Sequence, residues 1–338
     1  MEKQPIKYHF FDSQDQEIMQ LMGPKKLIQA LQDMLLIRHF ELRAESAYLQ
    51  GKIGGFFHSY MGQEAIQTAA VHVMGDQQWW ATSYRCHALA LLLKAKPREL
   101  MAELFGKSTG NAKGRGGSMH LYTDQLLGGF GIVAGQVPIA TGAAFSLKYL
   151  KKEGVAICFL GDGAVAQGSF HEALNIASLW NLPCIYVIEN NQWGMGTAVS
   201  RAIASSPIGE KQAISYNMKS YTLDGMDFFN CYAGFSAIFE EVKSTSKPVL
   251  VEAVTERFKG HSISDPGLYR SKEMLTNCMQ RDPLHLFSKK LIDSHILTED
   301  AFKQLDQEQK KIVMDALEFA EESPWPSPIV LGEDVFSL

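Results

Sequence analysis

Cysteine is scarce in this chain of 338 residues, and the five present, Cys86, Cys158, Cys184, Cys231 and Cys278, are scattered and odd in number. That spacing excludes a disulfide framework and a cysteine metal cluster, and it suits a reducing, cytoplasmic setting. Long apolar runs are also missing, so no membrane span is expected. There is no basic run, and a net charge of −5 argues against a general nucleic-acid surface. The N-terminus has neither the apolar core of a signal peptide nor the Arg-rich, acid-poor character of a transit peptide. No internal repeat is visible. What remains is 46% hydrophobic and 20% charged, the ordinary balance of a globular enzyme.

Against that plain background, two apolar runs end in polar residues. Residues 155–160 (Val-Ala-Ile-Cys-Phe-Leu) run into Gly161-Asp162-Gly163, and residues 184–188 (Cys-Ile-Tyr-Val-Ile) run through Glu189 into Asn190-Asn191. A helical stretch from Phe170 to about Trp180 lies between them. Strand, crossover helix and strand make a βαβ unit, whose ligands sit at the carboxyl ends of the strands. A carboxylate at Asp162 and an amide oxygen at Asn191 suit a divalent cation carrying a diphosphate. Magnesium takes about six oxygens and often only one or two from side chains. Glycines beside Asp162 allow close backbone approach to phosphate, and the next helix offers its N-terminal N–H groups to the same anion.

Two other readings fit the same residues. Gly161, Gly163 and Ala166 match a relaxed dinucleotide fingerprint, with Glu189 as the ribose carboxylate. That nicotinamide reading would put Asp162 inside the phosphate turn with no metal to offset its charge, and the unit falls in mid-chain. A purely structural turn is the third reading.

Along the chain, residues 1–23 read as an extended arm, and Pro24 opens a helix to about Leu49. Glycines recur through residues 106–137, a stretch read as a cofactor loop before a helix from Val137 to Tyr149. Residues 219–223 and 249–254 read as strands, 256–283 as a loop, and 283–320 as one helical run. Pro324, Pro326 and Pro328 mark a tail over 323–338, leaving 24–322 as the main domain. The expected fold is α/β, a mostly parallel sheet with helices on both faces.

Several stretches together resemble one family. They are Gly161-Asp-Gly-Ala-Val-Ala-Gln-Gly-Ser-Phe-His-Glu-Ala-Leu-Asn-Ile-Ala, Leu182-Pro-Cys-Ile-Tyr-Val-Ile-Glu-Asn-Asn and Gly260-His-Ser-Ile-Ser-Asp-Pro-Gly. Upstream stand Gly55-Phe-Phe-His58, Gly62-Gln-Glu-Ala65, Ser83-Tyr-Arg85 and Gly114-Arg-Gly-Gly-Ser-Met-His120. From about residue 25 to about 325 the chain resembles the alpha subunits of the decarboxylase component of pyruvate dehydrogenase, in the two-chain 2-oxo acid dehydrogenase family.

The resemblance implies a thiamin diphosphate-binding fold with Mg²⁺ held by Asp162, Asn191 and the backbone carbonyl of Trp193. It implies Gly163 and Ala164 along the diphosphate, with Tyr84 and Arg85 as further diphosphate contacts. Gly131 and Val133 would cradle the aminopyrimidine, and Thr123 occupies another cofactor position. His261 would order the loop over the cofactor and assist acyl transfer, and His58 would line the substrate approach. Lys259 stands where many relatives have a second histidine, a cation near an anionic substrate. Ser262 matches a serine phosphorylated in some mitochondrial relatives, but the second regulated position is Leu268, so kinase control is not expected.

The implied partners are a beta subunit, which supplies the glutamate that activates the aminopyrimidine, and a lipoyl-bearing acyltransferase. The implied substrate is pyruvate, in an assembly with two copies of each chain. Acetoin or a branched-chain 2-oxo acid is the alternative substrate. A non-catalytic subunit and a nicotinamide oxidoreductase are the alternatives in other classes.

Overall fold

The two apolar runs that lead to Asp162 and Asn191 form the centre of a parallel sheet. A computed structural model describes residues 6–333 and 335. The chain begins with α1 (Asp15–Leu49), α2 (Glu64–Met74), β1 (Trp79–Ser83), α3 (His87–Leu92) and α4 (Pro97–Leu104). Next come β2 (Leu126–Phe130), α5 (Gln136–Tyr149), β3 (Ala156–Gly161), α6 (Gly168–Leu179) and β4 (Cys184–Asn190). A small hairpin of β5 (Trp193–Gly194) and β6 (Thr197–Ala198) precedes α7 (Val199–Ala202), α8 (Ile208–Ile214), β7 (Lys219–Asp224) and α9 (Phe228–Thr245). The chain closes with β8 (Val249–Val254), α10 (Lys272–Gln280), α11 (Pro283–Asp293) and α12 (Glu299–Glu322).

The main sheet has six strands in the order β2-β1-β3-β4-β8-β7, and every pairing in it is parallel. Alternation along the strands divides two cores. Ile157, Phe159, Ile185 and Val187 join the larger one under α1, α2, α3 and α9. Ala156, Cys158, Leu160, Cys184, Tyr186 and Ile188 join the other, under α5 and α6. Burying each such aliphatic side chain stabilises the fold by about 1.5–3 kcal/mol. From β1 the chain goes to β2 on one side, whereas β3 leads to β4 on the other. The crevice between the carboxyl ends of β1 and β3 is therefore the switch point where ligands of such sheets bind.

The helix over residues 24–49 begins earlier than the sequence suggested. Asp15 to Met22 already form helix, with Asp15 and Glu17 in the first turn, and the break falls at Gly23 (φ 70°) just before Pro24. The arm ahead of it is tied down, with Phe11 N donating to Thr222 O (2.8 Å) on edge strand β7. Residues 1–5 of the expected arm lie outside the described residues, as do 334 and 336–338 of the expected tail.

Two further expectations are corrected. The loop placed over 256–283 contains α10, started by Ser271, whose side chain accepts from Met274 N. The single helix placed over 283–320 is two, because Thr298 starts α12 afresh by accepting from Ala301 N.

The glycine-rich stretch is built in two halves. Its first half folds around a protein carboxylate. Glu103, fully buried, accepts through Oε2 from Ala112 N (2.8 Å) and Gly114 N (2.9 Å). Its Oε1 accepts from Gly116 N (2.6 Å) and Gly117 N (3.2 Å). A Cβ at Gly110 would overlap Glu103 itself, so glycine is required there for close approach. The tail covers this loop: Lys107 Nζ donates to Ser323 O (3.0 Å) and lies 4.1 Å from the Trp325 ring centre. The second half carries β2, which the glycines at 128 and 129 hide in the sequence.

Candidate functional site

One cavity of about 650 Å³ opens at the switch point. Six main segments line it: the turn before α2, the end of β1, residues 130–136, the turn after β3, the end of β4 with the hairpin that follows, and the loop after β8. His58, Tyr84, Arg85, Gly131, Val133, Asp162, Gly163, Ala164, Asn191, Trp193 and His261 all line it. Residues scattered over two hundred positions of sequence thus meet in one crevice. Thr123 stands apart from the lining; its Oγ1 accepts from Leu126 N (3.1 Å) and shapes the turn into β2.

Asp162 opens a 3-10 turn, Asp162–Ala166, that carries the chain from β3 to α6. It is 2% exposed, and its Oδ2 has no hydrogen-bond partner. Burial pushes its carboxyl up to about 6, with the charge of Arg257 opposing part of that rise. Asn191 follows β4, its Nδ2 donating to Gln63 Oε1 (3.1 Å) and its Oδ1 accepting from Trp193 N (3.3 Å). The turn after β3 runs close to the hairpin, since a Cβ at Gly163 would lie 3.1 Å from the Gly194 Cα. Among the described residues no group of three His, Cys, Asp or Glu could hold a metal. Any cation here would need amide, carbonyl and ligand oxygens beside the one carboxylate.

Arg85 leaves β1 pointing into the crevice and ties two segments together. Its Nη1 donates to Ser59 O (2.5 Å) and its Nη2 to His261 O (2.7 Å). Tyr84, His58 and His261 cluster as a trio of rings, His58 tilted against Tyr84 at 4.3 Å between centres and His261 edge-on to His58 at 5.0 Å. Burial, then the charge of Arg85, lowers the His58 imidazole to about 3 and the His261 imidazole to about 4. Both rings are therefore neutral at pH 7, each with one N–H donor and one lone pair. His261 is held by its backbone, because Asp265 accepts from His261 N (2.6 Å), Gly267 N (2.9 Å) and the Tyr269 hydroxyl (2.6 Å). These charge-accepting contacts outweigh burial and hold the Asp265 carboxyl down at about 2.

Two residues read earlier in other terms are now placed. Glu189 lines the cavity but is buried, and Tyr60 Oη and Gln67 Nε2 (3.1 Å) both donate to its Oε1, so that oxygen already has its partners within the chain. Burial raises its carboxyl to about 7. Lys259 turns to Glu45 on α1 (2.8 Å) and is not part of the cavity lining, so its charge is spent on an ion pair. Gln63 lines the cavity and went unnoticed in the sequence; its place directly after Gly62 is the signal that could have found it. Gly62 has φ +97°, and a Cβ there would collide with Glu256 O, so this turn admits only glycine and fixes where Gln63 points.

Phe56 (62% exposed), Ile132 (78%) and Met195 (64%) rim the opening, an apolar mouth that another surface could cover. No helix among the described residues is long and apolar enough to cross a membrane.

Comparison with known proteins adds an independent line. The family model for the dehydrogenase E1 component matches residues 32–329. A pyruvate dehydrogenase E1 component subunit alpha from Rickettsia conorii is 45% identical over 314 residues, 92% of this chain and 96% of that protein. The protein of the same name from Rhizobium meliloti is 40% identical over 311 residues, covering 91% of this chain and 89% of the relative. That of Porphyra purpurea is 39% identical over 321 residues, 92% and 93% of the two chains. With the parallel sheet, the switch-point crevice and these matches together, the chain belongs to the dehydrogenase E1 component family, whose members depend on thiamin diphosphate.

Proposed function

We propose that this chain is the alpha subunit of a pyruvate dehydrogenase, decarboxylating pyruvate and passing the acetyl group to a lipoyl disulfide. The observation that carries the proposal is the buried Asp162 carboxylate with an unpartnered oxygen, in one crevice with Asn191, Arg85 and His261. A bare carboxylate in that position is unfavourable, and a divalent cation offsets the cost. The donor set is hard oxygen throughout, which fits Mg²⁺. Asp162, Asn191 and the carbonyl of Trp193 would hold the ion.

When bound, thiamin diphosphate supplies the carbanion that adds to the keto carbon and the ring that accepts the electron pair as carbon dioxide leaves. This chain binds and orients. Arg85 uses two N–H groups on carbonyls and keeps others for phosphate oxygens. The amides at Gly163 and Ala164, which line the cavity, would hold the same phosphates, and the N-terminus of α6 would add its dipole. His58 and His261, neutral and clustered with Tyr84, would offer hydrogen bonds near the reacting carbon without repelling the cation. The apolar rim supports coverage by a beta subunit, which would bring the glutamate that activates the aminopyrimidine. A lipoyl-bearing acyltransferase would receive the acetyl group.

The test is an assay of pyruvate-dependent acetylation of a lipoyl domain, with the purified chain alone and with its beta chain. Turnover is expected only with both. Robust activity from the chain alone, or a preference for acetoin or a branched-chain 2-oxo acid in substrate competition, would overturn the assignment. In the assembled enzyme His261→Ala should slow acetylation by about 10²–10⁴-fold, the span of a lost general acid–base contact. Cofactor affinity by calorimetry should stay the same, and unaltered transfer rates would remove His261 from this role.

A further inference from the structure

Resting on the metal-diphosphate reading above, we infer that Gln63 is a positioning residue that sets the orientation of the Asn191 amide and gives a hydrogen bond to the bound anion. Gln63 is fully buried and lines the cavity at the start of α2. Its backbone is fixed at both ends: its N–H donates to Tyr60 O (3.1 Å) and its carbonyl accepts from Ile66 N (3.2 Å). Its Oε1 accepts from Asn191 Nδ2 (3.1 Å).

An asparagine amide fits a site almost equally well in two orientations that exchange oxygen and nitrogen. Only the orientation with oxygen towards the crevice can ligate a cation. With its own oxygen turned to Asn191, Gln63 supports that orientation, because reversing the Asn191 amide alone would set oxygen against oxygen. Trp193 N, donating to Asn191 Oδ1 at 3.3 Å, favours the same one. Backbone and side chain together thus present the amide oxygen before any ion arrives.

The other end of Gln63 is unmatched. Its Nε2 is buried without a hydrogen-bond partner, as is Asp162 Oδ2 in the same cavity. A buried polar group without a partner is unfavourable. Left open are one donor, which an anion would satisfy, and one carboxylate oxygen, which a cation would satisfy. A ligand that is both at once, a divalent cation on a diphosphate, satisfies the two. A ligand of one sign leaves the other group stranded.

The test uses the chain assembled with its beta subunit, with Mn²⁺ replacing Mg²⁺ so that binding is read by electron paramagnetic resonance at saturating thiamin diphosphate. Gln63→Met keeps the volume and removes both polar atoms; Mn²⁺ affinity should fall about 10–100-fold, the usual loss when the partner of a metal ligand is removed. Gln63→Glu keeps the acceptor for Asn191 and should hold Mn²⁺ within about threefold of the parent, while its added charge weakens diphosphate binding. Should Gln63→Met fail to assemble, Gln63→Asn, whose acceptor is drawn back by one methylene, takes its place with the same expected loss. Asp162→Asn is the control for the site itself.

If Gln63→Met binds Mn²⁺ like the parent while Asp162→Asn does not, the positioning role is wrong and the site stands. If Gln63→Met and Gln63→Glu lose Mn²⁺ equally, Gln63 is only structural and the inference fails. If the parent complex takes up no Mn²⁺ with thiamin diphosphate, the functional reading beneath it fails as well.

Discussion

Asp162→Asn is expected to remove magnesium-dependent binding of thiamin diphosphate, with a loss of at least about 10²-fold, or roughly 2.8 kcal/mol. The size follows from the donor set. Asp162 is the one carboxylate among the proposed ligands, so its loss takes the only negative protein charge from the ion. The variant keeps the shape of the side chain, so the loss reports charge rather than a cavity. The unliganded protein should respond in the opposite sense. Burial raises the Asp162 carboxyl to about 6, so ionising it opposes folding. Replacing it by a neutral amide should leave thermal stability equal or slightly higher without cofactor. Cofactor and Mg²⁺ together should raise the unfolding temperature of the parent and not that of the variant, because only a ligand bound to the native state stabilises it. Calorimetry and thermal unfolding measure both halves. Unchanged cofactor affinity would refute the ligand assignment, and a variant destabilised without cofactor would show that Asp162 is a structural residue.

The second large effect is expected at Glu103, outside the cavity. Glu103→Gln should destabilise the chain by about 2–6 kcal/mol, two buried N–H donors each left unmade at about 1–3 kcal/mol. Four backbone N–H groups converge on its two oxygens. An amide nitrogen in place of either oxygen turns two of those bonds into donor facing donor. No water reaches the site to replace them, since Glu103 is fully buried. Residues 112–117 should then exchange their amide hydrogens much faster, while the exchange of β3 and β4 stays slow. Denaturant unfolding and hydrogen exchange followed by mass spectrometry give the two readouts. A loss below about 1 kcal/mol, or exchange that does not change in the loop, would show that the four bonds are not what holds it.

Glu103 also marks where the sequence was hardest to read. A run of glycines near a cofactor motif suggests a loop shaped by the ligand's phosphates. Here the same geometry, N–H groups converging on an anion, is satisfied by a carboxylate from the end of α4. Composition alone does not distinguish an internal anion from an external one. The strand Leu126–Phe130 was hidden for a related reason. Gly128 and Gly129 weaken any strand signal, yet a Cβ at Gly129 would run into Cys86 and the Met119 carbonyl, so the close packing that makes the strand fit also disguises it.

The centre of the fold was legible because its signals are local. The runs before Asp162 and Asn191 are continuous apolar strands, as sheets covered on both faces require, and they became β3 and β4 with the crossover helix α6 between them. Asp162 and Asn191 stood out as candidates because polar residues at the ends of such strands are conspicuous, and both line the crevice. Gln63 was not singled out, because its one sequence signal is the preceding Gly62, and its partner Asn191 lies more than a hundred residues away. Lys259 shows the converse. Its charge suggested a role near the substrate, but Glu45, far away in sequence, holds it elsewhere.

The most direct measurement is a crystal of the chain with its beta subunit, grown with thiamin diphosphate and Mn²⁺ and recorded at the manganese absorption edge. One anomalous peak is expected at the ends of β3 and β4, within about 2.3 Å of an Asp162 carboxylate oxygen, Asn191 Oδ1 and the Trp193 carbonyl. A peak elsewhere, or a crevice that holds a nicotinamide dinucleotide and no metal, would contradict it.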